Sequence, residues 1–500
     1  MTILAIDQGT TGTTCLVVGA DGRILGRAYR EIPQHYPQPG WVEHDPRDLL
    51  ERTVDAARGA IEIAGVTPQA IGITNQRETV VLWDRKTGEP LARAIVWQDR
   101  RTADRCLELR RDAERIAQLT GLVTDPYFSG TKLEWLLQDT AVRRRAERGE
   151  LAAGTVDSWL IWSMTGGSVH ATDPTNASRT MLYDIDARVW SDELCDLLHV
   201  PKSILPEVRP SSGSFGIADK GFLGAAVPIM GVAGDQQAAL FGQGCHAPGM
   251  SKNTYGTGAF LLLNGGATRP EGGGGLLTTI ACDAQGAPIY ALEAAIFIAG
   301  AAIQWLRDGL GLLATADQSE DLARGTSATD GVYFVPALVG LGAPHWEPRA
   351  RGTIVGLTRG TTRAHLVRAA LEAMAYSTAD VLEVMQMRAR LSGRAAAARV
   401  TAKSPLRVDG GATENNWLMQ FQADVLDIPV ERPEQIETTA LGAAGLAGLA
   451  AGVWPDVEAF QATRAFTRFE PGPGREAARA GATGWARAVR AALSWARDDT

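Results

Sequence analysis

Cysteine is scarce in this chain of 500 residues, and the five present (Cys15, Cys106, Cys195, Cys245, Cys282) are scattered with no C-x-x-C pair. That spacing excludes a zinc ribbon and a disulfide framework, and it points to a reducing, cytoplasmic setting. Greasy runs are missing too. The one long uncharged stretch, TTALGAAGLAGLAAGVWP (438–455), is diluted by Gly442, Gly445, Gly448 and Gly452. A membrane span needs about 20 strongly apolar residues, so no membrane insertion is expected despite the G-x-x-x-G at Gly448 and Gly452. The stretch reads as a soluble helix whose glycine face lets another backbone come close. The start, MTILAIDQGTTG, has no basic segment leading into a long apolar one, so no signal peptide is expected. Basic surface is lacking as well: 49 Lys and Arg stand against 57 Asp and Glu, a net charge of −8, with no basic cluster beyond Arg143, Arg144 and Arg145. A nucleic-acid partner is excluded on that balance, because affinity for phosphate backbones needs many cations.

What is present is an α/β chain long enough for more than one sizeable core. Residues 3–6 and 15–18 are apolar runs joined by the turn DQGTTGTT, a β-hairpin pattern, with a third strand after Gly22. Asp45 and Pro46 start a helix whose apolar face reads Leu50, Val54, Ala57, Ile61. Strand-like AIGI (70–73), TVVLWD (79–84) and AIVW (94–97) follow. The second half repeats the opening: NTYGTGAFLLLN (253–264) is again strand, Gly/Thr turn and strand. Each half also holds a strand ending in Gly and Asp that leads into a helix, at 228–242 and 406–421. The repetition predicts two related lobes facing a central catalytic cleft, divided near 244–252 into 1–247 and 248–500. Residues 365–387 have core-helix spacing, 388–405 is a basic, Ala-rich surface connection, and the tail closes with an amphipathic helix through Trp485, Val489 and Leu493.

Five segments carry chemistry. Asp7 to Thr14 holds glycines and threonines in the combination that grips phosphate oxygens, with Asp7 placed for Mg²⁺. It lacks the lysine of G-x-x-x-x-G-K-[ST], so a P-loop is excluded. Tyr255-Gly256-Thr257-Gly258 is the equivalent turn in the second half. Asp235 starts a helical pattern after an apolar run, where it caps a helix, accepts a hydroxyl proton, or does both. Thr74 to Thr79 sets six polar residues between two strands without Gly or Pro to turn the chain. Its Arg77 and Glu78 form either a surface ion pair or the donor and acceptor for a vicinal diol. Asp409 to Asn415 offers bare glycine backbone against which an adenine could slide.

Taken together, these motifs resemble the glycerol kinases of the FGGY carbohydrate-kinase family. The resemblance runs through IDQGTTG, WVEHDP (41–46), GITNQRET (72–79), IVWQDRRT (95–102), DPYFSGTKLEWLL (125–137), TDPTNASRTML (172–182), AGDQQAALFGQ (233–243), KNTYGTG (252–258) and RVDGGATENNWLMQFQAD (407–424). It implies two lobes of the actin/hexokinase (ribonuclease H-like) fold and ATP-dependent phosphorylation of glycerol to sn-glycerol 3-phosphate. It also implies glycerol contacts from Arg77, Glu78, Tyr127, Asp235 and Gln236, with Trp97 and Phe260 covering the carbon chain and Asp235 as general base. Thr10, Thr11, Gly12, Thr257, Gly300, Gln304, Gly411 and Asn415 correspond to nucleotide contacts, and Asp7 to the Mg²⁺ ligand. A cytoplasmic homodimer or homotetramer is the implied assembly. Three departures stand out: Thr14 replaces an arginine after the first phosphate turn, 216–226 (GIADKGFLGAA) replaces a glycine-rich regulatory loop, and the 388–405 connection is long. The rivals are a kinase for another polyol or ketose, and an actin-like ATPase with no metabolite acceptor.

Overall fold

The computed structural model describes residues 1–391 and 404–497. The chain forms two compact units, neither contiguous in sequence. Met1–His246, Thr278–Tyr290 and Glu437–Arg464 make the first, while Ala247–Leu277, Ala291–Ile436 and Ala465–Thr500 make the second.

In the first unit, strand β1 (Thr2–Gln8) pairs antiparallel with β2 (Gly12–Gly19), which pairs antiparallel with β3 (Ile24–Glu31). Helix α1 (Pro46–Ala64) follows, its first turn capped by Asp45 as its sequence requires. Leu49, Thr53, Ala56, Ala57 and Ala60 of α1 are fully buried and Val54 nearly so, whereas Leu50 and Ile61 lie at the margin. The expected face is thus rotated, and the cause is steric. A Cβ on Gly26 of β3 would strike the carbonyl of Ala60, so the small residues of the helix meet the sheet.

Strand β4 (Ala70–Asn75) then pairs parallel with the far edge of β1, β5 (Val80–Asp84) joins a separate small sheet, and β6 (Val227–Gly234) pairs parallel with β4. Helix α2 (Ser129–Leu136) lies between β5 and β6 in the chain, and α3 (Asp235–Gly242) follows β6 directly. The central sheet is covered on both faces, which explains the continuous apolar runs of its strands. Leu4, Ile6, Cys15 and Val17 pack into one cluster with α1, while Ile3, Ala5, Leu16 and Val18 pack with the helix Thr438–Ala450. That helix is the glycine-rich stretch. A Cβ on its Gly442 would meet the carbonyl of Ala238, and one on Gly72 of β4 would meet that of Ala443. The expected close approach of another backbone is found, and among the described residues no helix is long and apolar enough to cross a membrane.

The second unit repeats the plan. Strand β7 (Ser251–Tyr255) forms an antiparallel hairpin with β8 (Ala259–Gly266), helix α4 spans Gly300–Asp308, and α5 spans Arg363–Leu391. Strand β9 (Leu406–Asp409) pairs parallel with β7, and after α6 (Asn416–Leu426) strand β10 (Val430–Pro433) pairs parallel with β9. A hairpin followed by two parallel strands is therefore common to both units. Of the connection expected at 388–405, residues 388–391 continue α5 instead, and 392–403 lie outside the described residues. The last helix, Arg475–Arg497, buries Trp485 and Val489 as its spacing predicts.

The glycine contact sets two effects against each other. Alanine favours a helix over glycine by about 1 kcal/mol, but overpacking a tight interface costs about 1–3 kcal/mol. With a backbone carbonyl facing the new methyl group, the second effect should win. Gly442→Ala should therefore lower the urea midpoint of unfolding, and a raised midpoint would show that the helix has room to move.

Candidate active site

The six polar residues Thr74 to Thr79 are all buried; the first two end β4 and the other four lie between β4 and β5. The turn that neither Gly nor Pro supplies is made by Glu78 itself, which has a φ of 64°, while the Thr79 N–H donates to the Arg77 carbonyl at 2.8 Å. A three-residue turn of this kind is strained for a residue with a side chain. The neighbourhood holds it in place. Arg179 Nε donates to Glu78 Oε1 at 2.6 Å, Ser129 Oγ donates to the Glu78 carbonyl at 3.1 Å, and Lys132 Nζ lies 3.4 Å from the same carbonyl. Lys132 Nζ also donates to the Tyr127 carbonyl at 2.5 Å, and the Arg179 guanidinium lies over the Tyr127 and Phe128 rings.

Arg77 and Glu78 do not form the surface ion pair allowed by sequence. Both are almost fully buried, and their charged groups are 3.9 Å apart at closest. Arg77 Nε instead meets Asp235 Oδ1 at 3.1 Å, its Nη1 donates to Gln237 Oε1 at 3.3 Å, and its Nη2 lies 3.4 Å from the Tyr127 hydroxyl. The neighbouring charges diverge because each has a partner brought by another element.

Asp235 is the first residue of α3, with Gly234 at the capping position, so it does not cap the helix in the expected way. Its Oδ1 accepts the Gln236 N–H at 2.7 Å. The side chain remains 33% exposed beside an Arg77 that is 2% exposed, which leaves a carboxylate open to a hydroxyl on one side and braced on the other. Gln236 is half-buried, whereas the buried Gln237 touches Arg77 and donates to the Ile280 carbonyl at 3.1 Å.

The first phosphate turn closes with Gly9 N–H donating to the Gly12 carbonyl at 2.9 Å. Thr10 is half-buried and Thr11 exposed, and a Cβ at Gly12 would meet the outer edge of the exposed Tyr29 ring, which could swing aside. Trp97 joins the turn through Nε1, which donates to Thr10 Oγ1 at 2.8 Å, and its ring meets Tyr127 edge-on at 5.7 Å. Asp7 keeps a little surface of its own, yet the protein packed around it, with Asp235 and Glu437 as neighbouring anions, pushes its carboxyl up to about 8. Thr14, which replaces the arginine of the resemblance, sits directly across the strand pair from Asp7. No group of three or more His, Cys, Asp or Glu is arranged for a metal among the described residues. A single carboxylate fits Mg²⁺ that binds mainly through phosphate and water oxygens, rather than a resident metal cage.

Within the second unit, the equivalent turn closes with Gly256 N–H on the Gly258 carbonyl at 2.8 Å. Gly300 N–H donates to the Gly256 carbonyl at 3.0 Å, and Ala299 and Ala301 donate to the Thr257 carbonyl, so the turn and the start of α4 are one piece. Gln304 lies exposed one turn along α4, and Phe260 is half-buried on β8. Gly410, with φ at 89°, packs against the Tyr255 carbonyl, while Gly411 faces open space. Asn415 has a structural duty: it accepts the Leu418 N–H to cap α6 and donates to Ser319 Oγ at 3.2 Å.

Sequence reasoning left Arg179, Lys132 and Gln237 without roles. All three lay inside quoted motifs; for Lys132 and Arg179 the available signal was a cation in an otherwise apolar or small-residue string, and for Gln237 there was none. Two units, each built on a hairpin-led sheet with a glycine-bearing turn, give the chain a two-domain kinase-like architecture. Residues 2–242 match the N-terminal domain of the FGGY family of carbohydrate kinases and residues 251–451 match its C-terminal domain, so the chain belongs to that family. It is 52% identical over 500 residues to glycerol kinase 2 of Thermotoga maritima, with 99% of each chain covered. It is 54% identical over 501 residues to the glycerol kinase of Dechloromonas aromatica, covering 99% of this chain and 98% of that one. Among solved structures, Plasmodium falciparum glycerol kinase with ADP superposes with a TM-score of 0.90 at 34% identity, covering 98% of each chain. A xylulose kinase from Rhodospirillum rubrum, at 23% identity and a TM-score of 0.86 over 99% of this chain and 100% of that one, shows the fold alone. The actin/hexokinase-like fold expected from sequence is the fold found.

Burial drives Lys132 down to about 7 from its ordinary 10.5, against the pull of Glu78, Asp99 and Asp125. Between those values the unfolded chain holds a proton that the fold does not, so this residue's contribution to stability grows as pH rises through that window. Lys132→Met abolishes the difference. The variant should therefore gain on the wild type as pH falls from about 10 to about 7 in matched denaturation curves. A gap that stays constant would mean that the lysine is charged in the fold.

Proposed function

We propose that the chain transfers the γ-phosphoryl group of ATP to a primary hydroxyl of glycerol, giving sn-glycerol 3-phosphate and ADP. Full-length relatives named glycerol kinase at 52% and 54% identity support the reaction, as does the likeness to a glycerol kinase solved with ADP. The observation that carries the chemistry is the Asp235 carboxylate, partly open and held by Arg77 Nε at 3.1 Å. In this reading Asp235 takes the proton of the attacking hydroxyl as the new P–O bond forms. Arg77 and Glu78 receive the remaining hydroxyls, Tyr127 and Gln236 complete the polar contacts, and Trp97 and Phe260 cover the carbon chain.

Thr10, Thr11 and Gly12 serve the phosphates, and Thr257, Gly300, Gln304, Gly411 and Asn415 serve the rest of the nucleotide. The glycerol site and first phosphate turn are thereby assigned to 1–247 and most nucleotide contacts to 248–500. Asp7 would hold Mg²⁺ arriving with ATP, which when bound neutralises phosphate charge. We place the protein in the cytoplasm, where its five free, buried cysteines stay reduced, as a homodimer or homotetramer that sedimentation velocity would distinguish.

A coupled ADP assay across glycerol, dihydroxyacetone, erythritol and xylulose tests the reading. ADP should form with glycerol at the highest kcat/KM, and equal ADP formation without any polyol would instead identify an ATPase. Asp235→Asn should fold, since an amide oxygen still accepts the Gln236 N–H, yet lose roughly 10²–10⁴-fold in kcat. Near-normal turnover would remove Asp235 from proton transfer. Thr14→Arg restores a guanidinium opposite Asp7, and steady-state kinetics should show higher kcat with little change in the glycerol KM. That gain should shrink with added salt if the new cation is exposed.

A further inference from the structure

Three residues with no role in the reading above, Gln34, His44 and Gln76, close a ring of hydrogen bonds beneath the first phosphate turn. Trp97 starts both arms of the ring. Its indole N–H reaches Thr10 Oγ1 at 2.8 Å, and its backbone N–H donates to Thr79 Oγ1 at 3.2 Å. The Thr79 hydroxyl donates in turn to Gln76 Oε1 at 2.9 Å. Gln76 Nε2 lies 3.2 Å from both the Gly9 carbonyl and Gln8 Oε1, and 3.4 Å from His44 Nδ1. His44 Nε2 is 2.9 Å from Gln34 Oε1, and Gln34 Nε2 donates to the Thr10 carbonyl at 2.8 Å and to the Ile32 carbonyl at 3.1 Å.

Donor and acceptor chemistry fixes every orientation. Gln34 nitrogen faces two carbonyls, so its oxygen faces His44 and only accepts; His44 Nε2 must carry the proton. Gln76 nitrogen faces the Gly9 carbonyl, so it only donates, and His44 Nδ1 must be bare. The ring therefore closes with a neutral imidazole in one tautomer. His44 has no exposed surface, and burial, with His35 as a like-charged neighbour, pushes its ring down to about 4.

The consequence lies in the peptide planes. In a trans peptide the carbonyl and the following N–H point in opposite directions. Drawing the Gly9 and Thr10 carbonyls into the ring turns the N–H groups of Thr10 and Thr11 away from it, as an anion cradle of successive N–H groups requires. We propose that Gln34, His44 and Gln76 are positioning residues for phosphoryl transfer, holding the first phosphate turn in its anion-binding form and tying it to the Trp97 wall of the acceptor site. The proposal rests on the kinase reading. It does not extend to the braces of Arg77 and Glu78, which are separate.

The test compares His44→Phe, His44→Gln and Gln34→Met with wild type, using coupled ADP kinetics and calorimetric titration of glycerol. His44→Phe and Gln34→Met should lose about tenfold or more in kcat/KM for ATP, while the glycerol Kd moves by less than about threefold. His44→Gln, whose amide can accept from Gln76 and donate to Gln34, should recover most of the loss. Unchanged ATP kinetics, parallel loss of glycerol binding, or a glutamine as damaging as phenylalanine would each overturn the proposal. Should His44→Phe fail to fold, the half-buried Gln34→Met carries the same comparison. A readout free of activity separates this proposal from the kinase reading: imidazole ¹⁵N NMR of the wild type, assigned by the signal lost in His44→Gln. That signal should report the neutral Nε2–H tautomer, unchanging from about pH 5.5 to about pH 8. A titration in that range overturns the ring even if glycerol kinase activity is found, while absence of that activity with a fixed tautomer would overturn the kinase reading alone.

Discussion

The ion pair between Glu78 and Arg179, with both side chains at 1% exposure or less, is the constraint on which the candidate site depends. Burying two charges costs several kcal/mol each unless close partners and further hydrogen bonds offset the loss of water. Here the offset is spread over two segments, 127–132 and the one that carries Arg179. Arg179 comes from after the motif TDPTNAS, Ser129 and Lys132 come from α2, and the aromatic rings of Tyr127 and Phe128 flank the guanidinium. Because Glu78 is satisfied from that side, its left-handed backbone persists. Arg77, the preceding residue, is then directed toward Asp235 rather than back onto its neighbour. A strained turn and a braced carboxylate are thus two ends of one arrangement.

The sheet supplies a second, quieter constraint. Both units lead with a hairpin whose first strand also pairs with a parallel strand, and each hairpin turn is glycine-bearing. In the first unit the turn is shaped from beneath by side chains and from above by Tyr29. In the second it is locked to the start of α4 by backbone hydrogen bonds. The same local plan therefore reaches similar turns by different means.

Much of the fold was legible because it rests on period and punctuation. Apolar runs broken by Gly and Thr read as hairpins, Asp45 and Pro46 marked the start of α1, and small residues at 442–452 marked a close helix contact. What escaped was information carried between distant segments. Arg179 meets Glu78 across 101 residues and Lys132 reaches the Glu78 carbonyl across 54, distances at which spacing says nothing. His44 lies inside the string WVEHDP and Gln34 in no quoted motif, and no spacing in the sequence links the two. The choice between Gln236 and Gln237 depends on which side of α3 faces the buried guanidinium. The face of α1 was misjudged because size, not hydrophobicity, decides what can sit against Gly26.

The helix Thr438–Ala450 belongs to the first unit although the chain enters the second unit at Ala247. Its apolar residues cover Ile3, Ala5, Leu16 and Val18, the face of the central sheet opposite α1. During synthesis, β1 to β6 emerge long before that cover does, so a growing chain presents an open, uncharged sheet face to its surroundings until residues past 450 leave the ribosome. Exposed apolar strands of that kind are prone to associate at the concentrations found in cells. A chain truncated before that glycine-rich helix would leave this face of the sheet bare.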